Sequence, residues 1–468
     1  MNYFFLQEGT SENEARSLLG ENSLDIMFSK KRMVFVGTVV SNDCTVYCYP
    51  KYIAKLKDDE IDIADKKQHI VGHLQLLNRV FRKLSNQNRN IEELVCNFNP
   101  AYIAGTSKKI DRYSLSKYIV DDYLKNGYFT TSTLVEGTSI KGRTHWAKTV
   151  AKIRPTINGG NVVYFKQIKQ RWVNSPDELI STIHTNILYE CLAEQHEFGN
   201  FSSLKVAKPS ARITDYATYI PALRSALDQV YADREVYLLR ALITWCQECR
   251  SRHFVAMGGT TNFQNVWEWV NDGVFGNAED KNSSNPLYQL FGFNLRGKGE
   301  AKPDTLHCVV DDDNITIDVF DAKYYVPQSV IFSSSASSEG EVNGLPASSD
   351  VSKQIAYRYF IKMYCDELNK ASTPPKTIHI SNSFLIPAWN SEIIERFKEK
   401  DPSIGTCPCL KRRIGEVSIG EFQGLSYLFD ISKAGVDKIN TDYWNRDELK
   451  VQVFEVEPTL LYKEFLAH

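Results

Sequence analysis

The stretch from Pro303 to Tyr325 reads PDTLHCVVDDDNITIDVFDAKYY, and it decides how the C-terminal part of the chain folds. Two runs rich in Val, Ile and Thr, Thr305–Val310 and Ile315–Phe320, flank the polar segment Asp311–Asn314. Because β-branched residues favour strands while Asp and Asn favour turns, this pattern predicts a β-hairpin closed by a four-residue loop.

The turn also sets the register of the hairpin. If Asp311–Asn314 closes it, Leu306 faces Val319, and a residue just before the first strand, Asp304, falls opposite Asp321. Side chains alternate along a strand, so both carboxylates and the nearby Lys323 lie at the open end of an apolar face. Carboxylates buried there are costly unless a cation compensates them. The sequence therefore predicts a divalent-cation site, with a solvated salt bridge at a strand end as the alternative.

The composition of the whole chain narrows its class. At 468 residues it is long for one domain, and its 43% hydrophobic and 24% charged residues are ordinary for a globular protein. Its net charge of −2 means that a nucleic-acid surface would have to be a local basic patch. The N-terminus lacks the basic region of a secretory signal, and no apolar run approaches the ~20 residues of a membrane span. Ten scattered cysteines fit reduced thiols, so we expect a cytoplasmic protein with no membrane partner.

Local patterns predict an α/β protein (α+β overall) with three regions. Residues 1–110 form a β-rich N-terminal region that contains the strand-like runs Arg32–Val40 and Cys44–Tyr49. Residues 111–255 form a mainly helical middle region, and residues 256–468 follow the order helix, hairpin, helix, strand. The third region is therefore expected to carry the functional site.

Several helices can be placed by their spacing and end signals. Ile70 to Leu84 keeps amphipathic spacing, Leu115 to Asn126 ends at Gly127, and the segment Ser175-Pro176-Asp177-Glu178 opens a helix that runs to about Glu197. Pro221 to Arg250 fits one long helix or two with a bend.

Two helices flank the hairpin. In the helix before it, Glu268 falls off the apolar stripe, so periodicity alone describes a surface glutamate. In the helix after it, for which Asp350 is the expected N-cap, Gln354, Tyr357 and Arg358 share one face. Such a face can contact a phosphate or be an ordinary helix surface.

Two other motifs are weaker. Gly292–Gly299 resembles the start of a nucleotide-binding P-loop, but Gly299 stands where that motif needs Ser or Thr for magnesium. The chain itself is therefore not expected to be an NTPase. The pairs Cys246/Cys249 and Cys407/Cys409 leave zinc binding open, because the first falls in a helical pattern and the second has an uncommon spacing.

The ordered set Glu268, Asp304, Asp321-Ala322-Lys323, Gln354 and Tyr357 resembles the PD-(D/E)XK nuclease superfamily, and the form DAKYY is similar to that of McrC-type subunits. Upstream segments strengthen the match. Phe35-Val36-Gly37, Pro50-Lys51-Tyr52 and GRTHWAKT from Gly142 to Thr149 resemble the LlaJI-type restriction endonucleases, a McrC-like family. The resemblance covers most of the chain and implies a restriction-endonuclease-like nuclease core in the C-terminal region.

The resemblance also implies a role for each matching residue. The implied ligands of Mg²⁺, with Mn²⁺ as an alternative ion, are Asp304, Asp321, the carbonyl of Ala322, and Glu268. Lys323 would orient or activate the attacking water and stabilise charge on the phosphate. Gln354 and Tyr357 would buttress the site. Phosphodiester hydrolysis needs such metal-bound water and charge neutralisation.

The implied function is a DNA endonuclease subunit of a restriction-modification system that defends against foreign DNA. By the same resemblance, its partners are double-stranded DNA and a GTP-hydrolysing AAA+ subunit related to McrB, in a multi-subunit complex that the N-terminal half helps to assemble. Two alternatives stay open at this point. One is a stand-alone repair or recombination nuclease, and the other is a non-catalytic adaptor that binds DNA or a motor.

Overall fold

The structure is a computed structural model, and it describes residues 2–19, 25–41, 44–56, 63–87, 111–175, 178–209, 216–248, 255–276, 303–325, 346–370, 374–388, 411–418, 421–424 and 450–468. Numbered in chain order, the strands are β1 (Asn2–Gln7), β2 (Phe28–Ser29), β3 (Arg32–Met33), β4 (Val36–Val40), β5 (Cys44–Tyr49), β6 (Thr131–Gly137), β7 (Arg143–Thr144), β8 (Thr156–Asn158), β9 (Asn161–Val163), β10 (Lys169–Ser175), β11 (Ala256–Thr260), β12 (Thr305–Val310), β13 (Asn314–Ala322), β14 (Thr377–Pro387), β15 (Lys411–Ser418), β16 (Glu421–Gly424) and β17 (Val451–Val456). The helices are α1 (Glu12–Leu19), α2 (Ile63–Asn86), α3 (Arg112–Asn126), α4 (Trp146–Lys152), α5 (Glu178–Glu197), α6 (Tyr219–Leu227), α7 (Asp233–Glu248), α8 (Phe263–Phe275), α9 (Ser348–Lys370) and α10 (Pro458–Ala467).

The chain divides into two compact units. The first consists of Met1–Val39, Asp43–Phe98 and Met257–His468. The second consists of Val40–Asn42 and Asn99–Ala256. The first unit therefore joins residues from both ends of the chain, and the mixed α/β class expected from the sequence is confirmed.

One sheet of the first unit has the strand order β1-β5-β4-β11, with β1 and β5 parallel. Every residue of β4 and β5 is buried, as their β-branched and aromatic sequences predict. At Gly37, a Cβ atom would lie 2.1 Å from the carbonyl oxygen of Gly258, so only glycine allows β4 to approach β11 this closely. The predicted strand Cys44–Tyr49 is confirmed, whereas the predicted run Arg32–Val40 forms two strands, β3 and β4, with Val34 and Phe35 between them.

The second sheet of this unit has the order β12-β13-β14-β17-β15-β16. Strands β12 and β13 are antiparallel, whereas β14 runs parallel to both β13 and β17. The predicted hairpin register is confirmed, since Leu306 pairs with Val319 and Val310 with Ile315. Strand β13 begins one residue earlier than expected, at Asn314, whose carbonyl accepts a hydrogen bond of 2.8 Å from the amide of Asp311.

Helix α9 covers the apolar face of the hairpin. The shared core consists of Leu306, Ile317, Val319, Tyr357, Ile361 and Cys365. The helix begins at Ser348, so the expectation that Asp350 caps it is wrong, and Asp350 lies in its first turn. This shift leaves the Asp350 carboxylate available to side chains at the end of the hairpin.

The second unit has a helical core that α3, α5, α6 and α7 share. The Pro221 to Arg250 segment forms two helices, and α3 ends at Gly127 with a positive φ of 74°, as its sequence predicts. The core contains a buried ion pair. Arg112 Nε lies 2.6 Å from Glu194 Oε2, and Ser116 donates a 2.7 Å hydrogen bond to the other carboxylate oxygen. Burial raises the pKa of Glu194, and the charge of Arg112 opposes that rise.

Some sequence motifs fall outside the described residues, namely Gly292–Gly299 and the cysteines Cys249, Cys407 and Cys409. Cys246 is buried within α7. Among the helices that the structure describes, none combines the length and the apolar character needed to cross a membrane.

Replacing Glu194 by alanine should destabilise the second unit by about 3–5 kcal/mol, because it leaves the buried Arg112 guanidinium without its counter-charge. Urea denaturation followed by circular dichroism measures this loss. The matched control on α3 is Lys117→Ala, which breaks the 2.7 Å pair with Asp121 one turn away and should cost about 0.5 kcal/mol or less. Equal losses in the two variants would contradict the prediction.

Candidate active site

The end of the β12–β13 hairpin brings two carboxylates together. Asp321 is fully buried near the end of β13, and Asp304 immediately precedes β12. The pKa of Asp304 is held well above its ordinary value, first by burial and then by a hydrogen bond with Asp321 and the negative charges of Asp321 and Glu268. The side-by-side placement that the register predicts is therefore reflected in the electrostatics of the pair.

Lys323 supplies the compensating charge. Its Nζ lies 3.0 Å from Asp321 Oδ2 and 3.9 Å from Asp350 Oδ1, and its side chain is 11% exposed. Its backbone amide donates a 2.9 Å hydrogen bond to the carbonyl of Leu385, which continues the pairing of β13 with β14. Burial would lower the pKa of Lys323, but the charges of Asp321, Asp304 and Asp350 outweigh burial and raise it. Lys323 is thus held as an ammonium group.

The residue after this lysine is held by the N-terminal region. The Tyr324 hydroxyl donates a 2.6 Å hydrogen bond to Glu8 Oε2 and accepts one of 3.2 Å from the backbone amide of Lys51. The Lys51 ammonium group lies 4.2 Å from the centre of the Tyr324 ring. The backbone that carries Lys323 is therefore anchored to residues near the start of the chain.

A buried polar chain extends this anchor. The Tyr52 ring packs edge-on against Tyr324, and the Tyr52 hydroxyl lies 2.6 Å from His73 Nε2 and 3.0 Å from the Tyr462 hydroxyl. Burial lowers the pKa of His73 to about 3, so its imidazole is neutral. Helices α2 and α10 are thereby tied to the same segment as the lysine.

Helix α8 places Glu268 beside the acid pair. Trp267 Nε1 donates a 3.2 Å hydrogen bond to the carbonyl of Leu385, which anchors the helix on β14. Glu268 is half-buried and accepts a 3.0 Å hydrogen bond from Gln264. Burial raises the pKa of Glu268 most, and the charge of Asp321 raises it further. Periodicity described a surface glutamate and did not show this proximity.

Helix α9 contributes the other two predicted residues. Gln354 is fully buried, and its Nε2 donates a 3.5 Å hydrogen bond to the backbone carbonyl of Ser383. The backbone carbonyl of Gln354 accepts a 2.8 Å hydrogen bond from the side-chain amide of Asn382. Tyr357 is buried in the hairpin core, and burial raises its pKa first, with Asp321 and Asp304 adding to the rise. Gln354 therefore contacts β14, and Tyr357 packs against the hairpin that carries the acid pair.

Two charged residues at the site were missed by the sequence reasoning. The Lys353 ammonium group lies 5.4 Å from the centre of the Tyr357 ring. Burial opposes the charge of Lys353, but its pKa is raised by Asp321, Tyr357 and Asp304. The second missed residue is Asp350, which accepts a 2.7 Å hydrogen bond from Tyr325. The four-residue spacing of Lys353 and Tyr357 along a helix was the only local signal for Lys353.

The side chains at the hairpin end meet only part of what a metal ion needs. Within the described residues, no group of three or more His, Cys, Asp or Glu side chains is arranged to hold one. Asp304 and Asp321 nevertheless supply two carboxylates whose mutual repulsion a hard cation would relieve, while Glu268 is bonded to Gln264. The pair fits a cation such as magnesium, which keeps several waters and uses one or two protein carboxylates.

A mixed sheet that ends in a buried Asp321, a half-buried Asp304 and an adjacent lysine defines a candidate hydrolytic site. Residues 35–401 match the family model described as LlaJI restriction endonuclease. The chain belongs to this family, and it is therefore a nuclease of a restriction system, acting on DNA.

The chain was also compared with solved structures and with curated proteins. Among solved structures, the chain is similar to one described as a refined half-complex from a tetradecameric assembly of Thermococcus gammatolerans McrB AAA+ hexamers with bound McrC. The identity is 11%, the TM-score is 0.27, and the match covers 82% of this chain and 87% of that one. A TM-score of this size assigns neither fold nor partner. No curated protein matches the chain significantly.

Replacing Tyr324 by phenylalanine should destabilise the first unit by about 1–3 kcal/mol, because the half-buried Glu8 carboxylate loses its hydroxyl donor. Urea denaturation of the single and double variants with Glu8→Ala, which removes the acceptor, measures the coupling between the two residues. Tyr359→Phe is the control, since that tyrosine is 61% exposed and should change stability little. Additive losses for Tyr324 and Glu8 would show that the hydrogen bond contributes nothing.

Proposed function

We propose that this chain is the Mg²⁺-dependent nuclease subunit of a restriction system, with a PD-(D/E)XK core that hydrolyses phosphodiester bonds in double-stranded DNA. Membership of the LlaJI restriction endonuclease family supports a nuclease that acts on DNA. The observation that carries the proposal is the fully buried Asp321, which lies 3.0 Å from Lys323 and shares the hairpin end with Asp304. So costly an arrangement is typical of a site built for chemistry.

The topology supports the same proposal. An antiparallel hairpin, β12–β13, is followed by α9 and then by β14, which is parallel to β13. Glu268 reaches the site from the helix before the hairpin, and Gln354 and Tyr357 from the helix after it. This order matches the motif order of the superfamily that the sequence resembles.

Asp304, Asp321 and the carbonyl of Ala322 would hold the magnesium ion, with Glu268 as the helix carboxylate beside it. A bound ion supplies a water of lowered pKa and neutralises charge on the phosphate. Mn²⁺ has the same preference for oxygen ligands and is the alternative ion.

The side chains of the chain perform the other steps. Lys323, which stays protonated, donates to the attacking water or to a phosphate oxygen and stabilises the charge that develops there. Lys353 adds a second positive charge that faces Asp321. Gln354 and Tyr357 hold α9 against the hairpin and β14, so that both lysines keep their positions.

The partner is proposed from the sequence resemblance alone. We propose an AAA+ GTPase subunit related to McrB, docked by the N-terminal region of residues 1–110, in a cytoplasmic complex that cuts foreign DNA. In this scheme residues 111–255 form a middle region and residues 256–468 the nuclease domain. The anchoring of Tyr324 by Glu8 and Lys51 would give a docked partner a physical connection to the segment of Lys323.

Cleavage of unmethylated phage DNA by this chain with its partner, GTP and Mg²⁺ tests the proposal. Asp321→Asn and Lys323→Gln should each lower the cleavage rate about 100-fold or more, because the first removes a carboxylate from the proposed metal site and the second removes a positive charge that stabilises the scissile phosphate. Asp312→Asn is the control, since Asp312 is exposed in the hairpin turn. Wild-type rates in either site variant would overturn the assignment.

Two further measurements separate the alternatives. Calorimetry with Mg²⁺ or Mn²⁺ should show binding that Asp304→Asn abolishes, and an absence of binding in the wild-type chain would favour a non-catalytic adaptor. Robust, site-independent cleavage by the isolated chain would favour a stand-alone repair or recombination nuclease.

Lys353 is outside the sequence motif, and we predict that its charge contributes to the cleavage rate. Lys353→Gln should lower the cleavage rate by about tenfold, since a charge near a partly buried phosphate contributes on the order of 1–4 kcal/mol. The effect should be smaller than that of Lys323→Gln, which also removes the ion pair with Asp321. Lys370→Gln at the end of α9 is the control, because that side chain is 69% exposed. A wild-type rate for Lys353→Gln would remove it from the site.

A further inference from the structure

A segment of the second unit has a charge unlike that of the rest of the chain. Between Thr138 and Ser175 there are eight lysine and arginine residues and no aspartate or glutamate. The whole chain carries 55 basic and 57 acidic residues, so its net charge of −2 hides this local excess. A segment that carries several basic residues and no acidic residue attracts a polyanion.

The basic side chains are available for a ligand. Lys148 lies 2.6 Å from the Glu136 carboxylate, and this hydrogen bond is the main cause that lowers the pKa of Glu136. Within the described part of the chain, none of the other seven basic residues forms an ion pair with a carboxylate. Lys141, Arg154 and Lys166 are all exposed. In the part of the chain that the structure describes, no carboxylate therefore neutralises these three side chains.

The same segment exposes apolar and aromatic side chains. Trp146 is 55% exposed and Phe165 is 80% exposed, and Thr149 is the one buried residue in the described stretch 134–171. The Trp146 and Tyr164 rings lie 6.3 Å apart, edge to face. Basic side chains beside exposed apolar rings suit a DNA duplex, because phosphates bind the charges and apolar side chains contact base edges in the grooves.

The β8–β9 hairpin is a two-stranded ribbon, which is a shape that fits the major groove of DNA. Its strands pair from Thr156 with Val163 to Asn158 with Asn161, and Gly159 and Gly160 form a tight turn with φ of 57° and 84°. Every residue from Arg154 to Val163 is exposed. An isolated two-stranded hairpin is only marginally stable in water, so contact with a ligand would stabilise it. The major groove of DNA is wide enough to accept a two-stranded β-ribbon.

We propose that the surface from Lys141 to Arg171, with the β8–β9 hairpin at its centre, binds double-stranded DNA. It lies in the second unit, whereas Asp304, Asp321 and Lys323 belong to the first. The inference rests on the proposed function, which makes DNA the substrate. The chain would thus hold the duplex through one unit while the other unit carries out hydrolysis.

Fluorescence anisotropy of the full chain with a labelled duplex of about 30 base pairs, in EDTA, tests the surface without cleavage. The triple variant Lys152→Gln, Arg154→Gln, Lys166→Gln should bind about tenfold more weakly or worse. The slope of log Kd against log salt should fall by about 1 for each basic side chain that no longer neutralises a phosphate. The matched control is Lys205→Gln, Lys208→Gln, Arg224→Gln, which removes the same charge from exposed positions in the same unit and should bind like wild type.

The aromatic residues give a second, independent readout. Phe165→Ala should weaken binding without changing the salt slope, because it removes an apolar side chain and no charge. Wild-type affinity and salt slope in the triple variant, or no duplex binding by the wild-type chain, would overturn the proposal and leave a protein as the occupant of this surface.

The two proposals fail separately. Duplex binding in EDTA measures the surface from Lys141 to Arg171, whereas cleavage with Mg²⁺ measures the site of Asp321 and Lys323. If the triple variant binds normally while the site variants lose cleavage, only the DNA-binding surface is wrong. If the site variants still cut while the triple variant loses binding, only the catalytic assignment is wrong.

Discussion

The like-charge pair Asp304 and Asp321 at the end of a buried sheet face is the constraint on which the first unit depends. Burial of two carboxylates is unfavourable unless a cation lies beside them, and Lys323 provides that cation at 3.0 Å from Asp321. The arrangement needs the hairpin register to be correct, because a slip of one residue would turn Asp321 to the other face of the sheet. Strand β14 holds β13 in this register, because it pairs with β13 in parallel from Asn314 to Ala322.

The support of this site comes from distant parts of the chain. Glu8, Lys51 and Tyr52 surround the ring and hydroxyl of Tyr324, the residue next to the lysine. Removing the N-terminal strands would therefore expose the backbone that carries Lys323, in addition to any effect on a partner. These contacts join residues from both ends of the sequence within the first unit. They also explain how the upstream Pro50-Lys51-Tyr52 segment is related to the hairpin motif.

The net charge of −2 results from opposite local charges with different physical roles. The acidic residues Glu268, Asp304 and Asp321 are gathered where burial strengthens their repulsion, which favours a bound cation. The basic residues between Lys141 and Arg171 are exposed, where they interact with a polyanion at long range and in a salt-dependent way. A composition near neutrality is thus compatible with both a cation site and a DNA surface.

The sequence by itself determined the hairpin, its register and the helices that flank it. These features depend on turn chemistry, side-chain alternation and helix-end signals, all of which act over a few residues. The order of the motif residues was equally visible, while their catalytic roles stay predictions. The expected cap at Asp350 was wrong because α9 begins at Ser348, three residues before the expected start at Val351, and local propensity defines such boundaries poorly.

Only the tertiary structure decided which distant residues meet at the hairpin end. Glu268 was described as a surface residue by its periodicity, but Trp267 anchors α8 on β14 and leaves Glu268 half-buried beside Asp321. Lys353 and Asp350 reach the site because α9 packs across the hairpin, and Glu8 reaches Tyr324 across 316 positions of the chain. Such contacts follow from how helices and sheets pack on one another. The spacing of residues along the chain does not encode that packing.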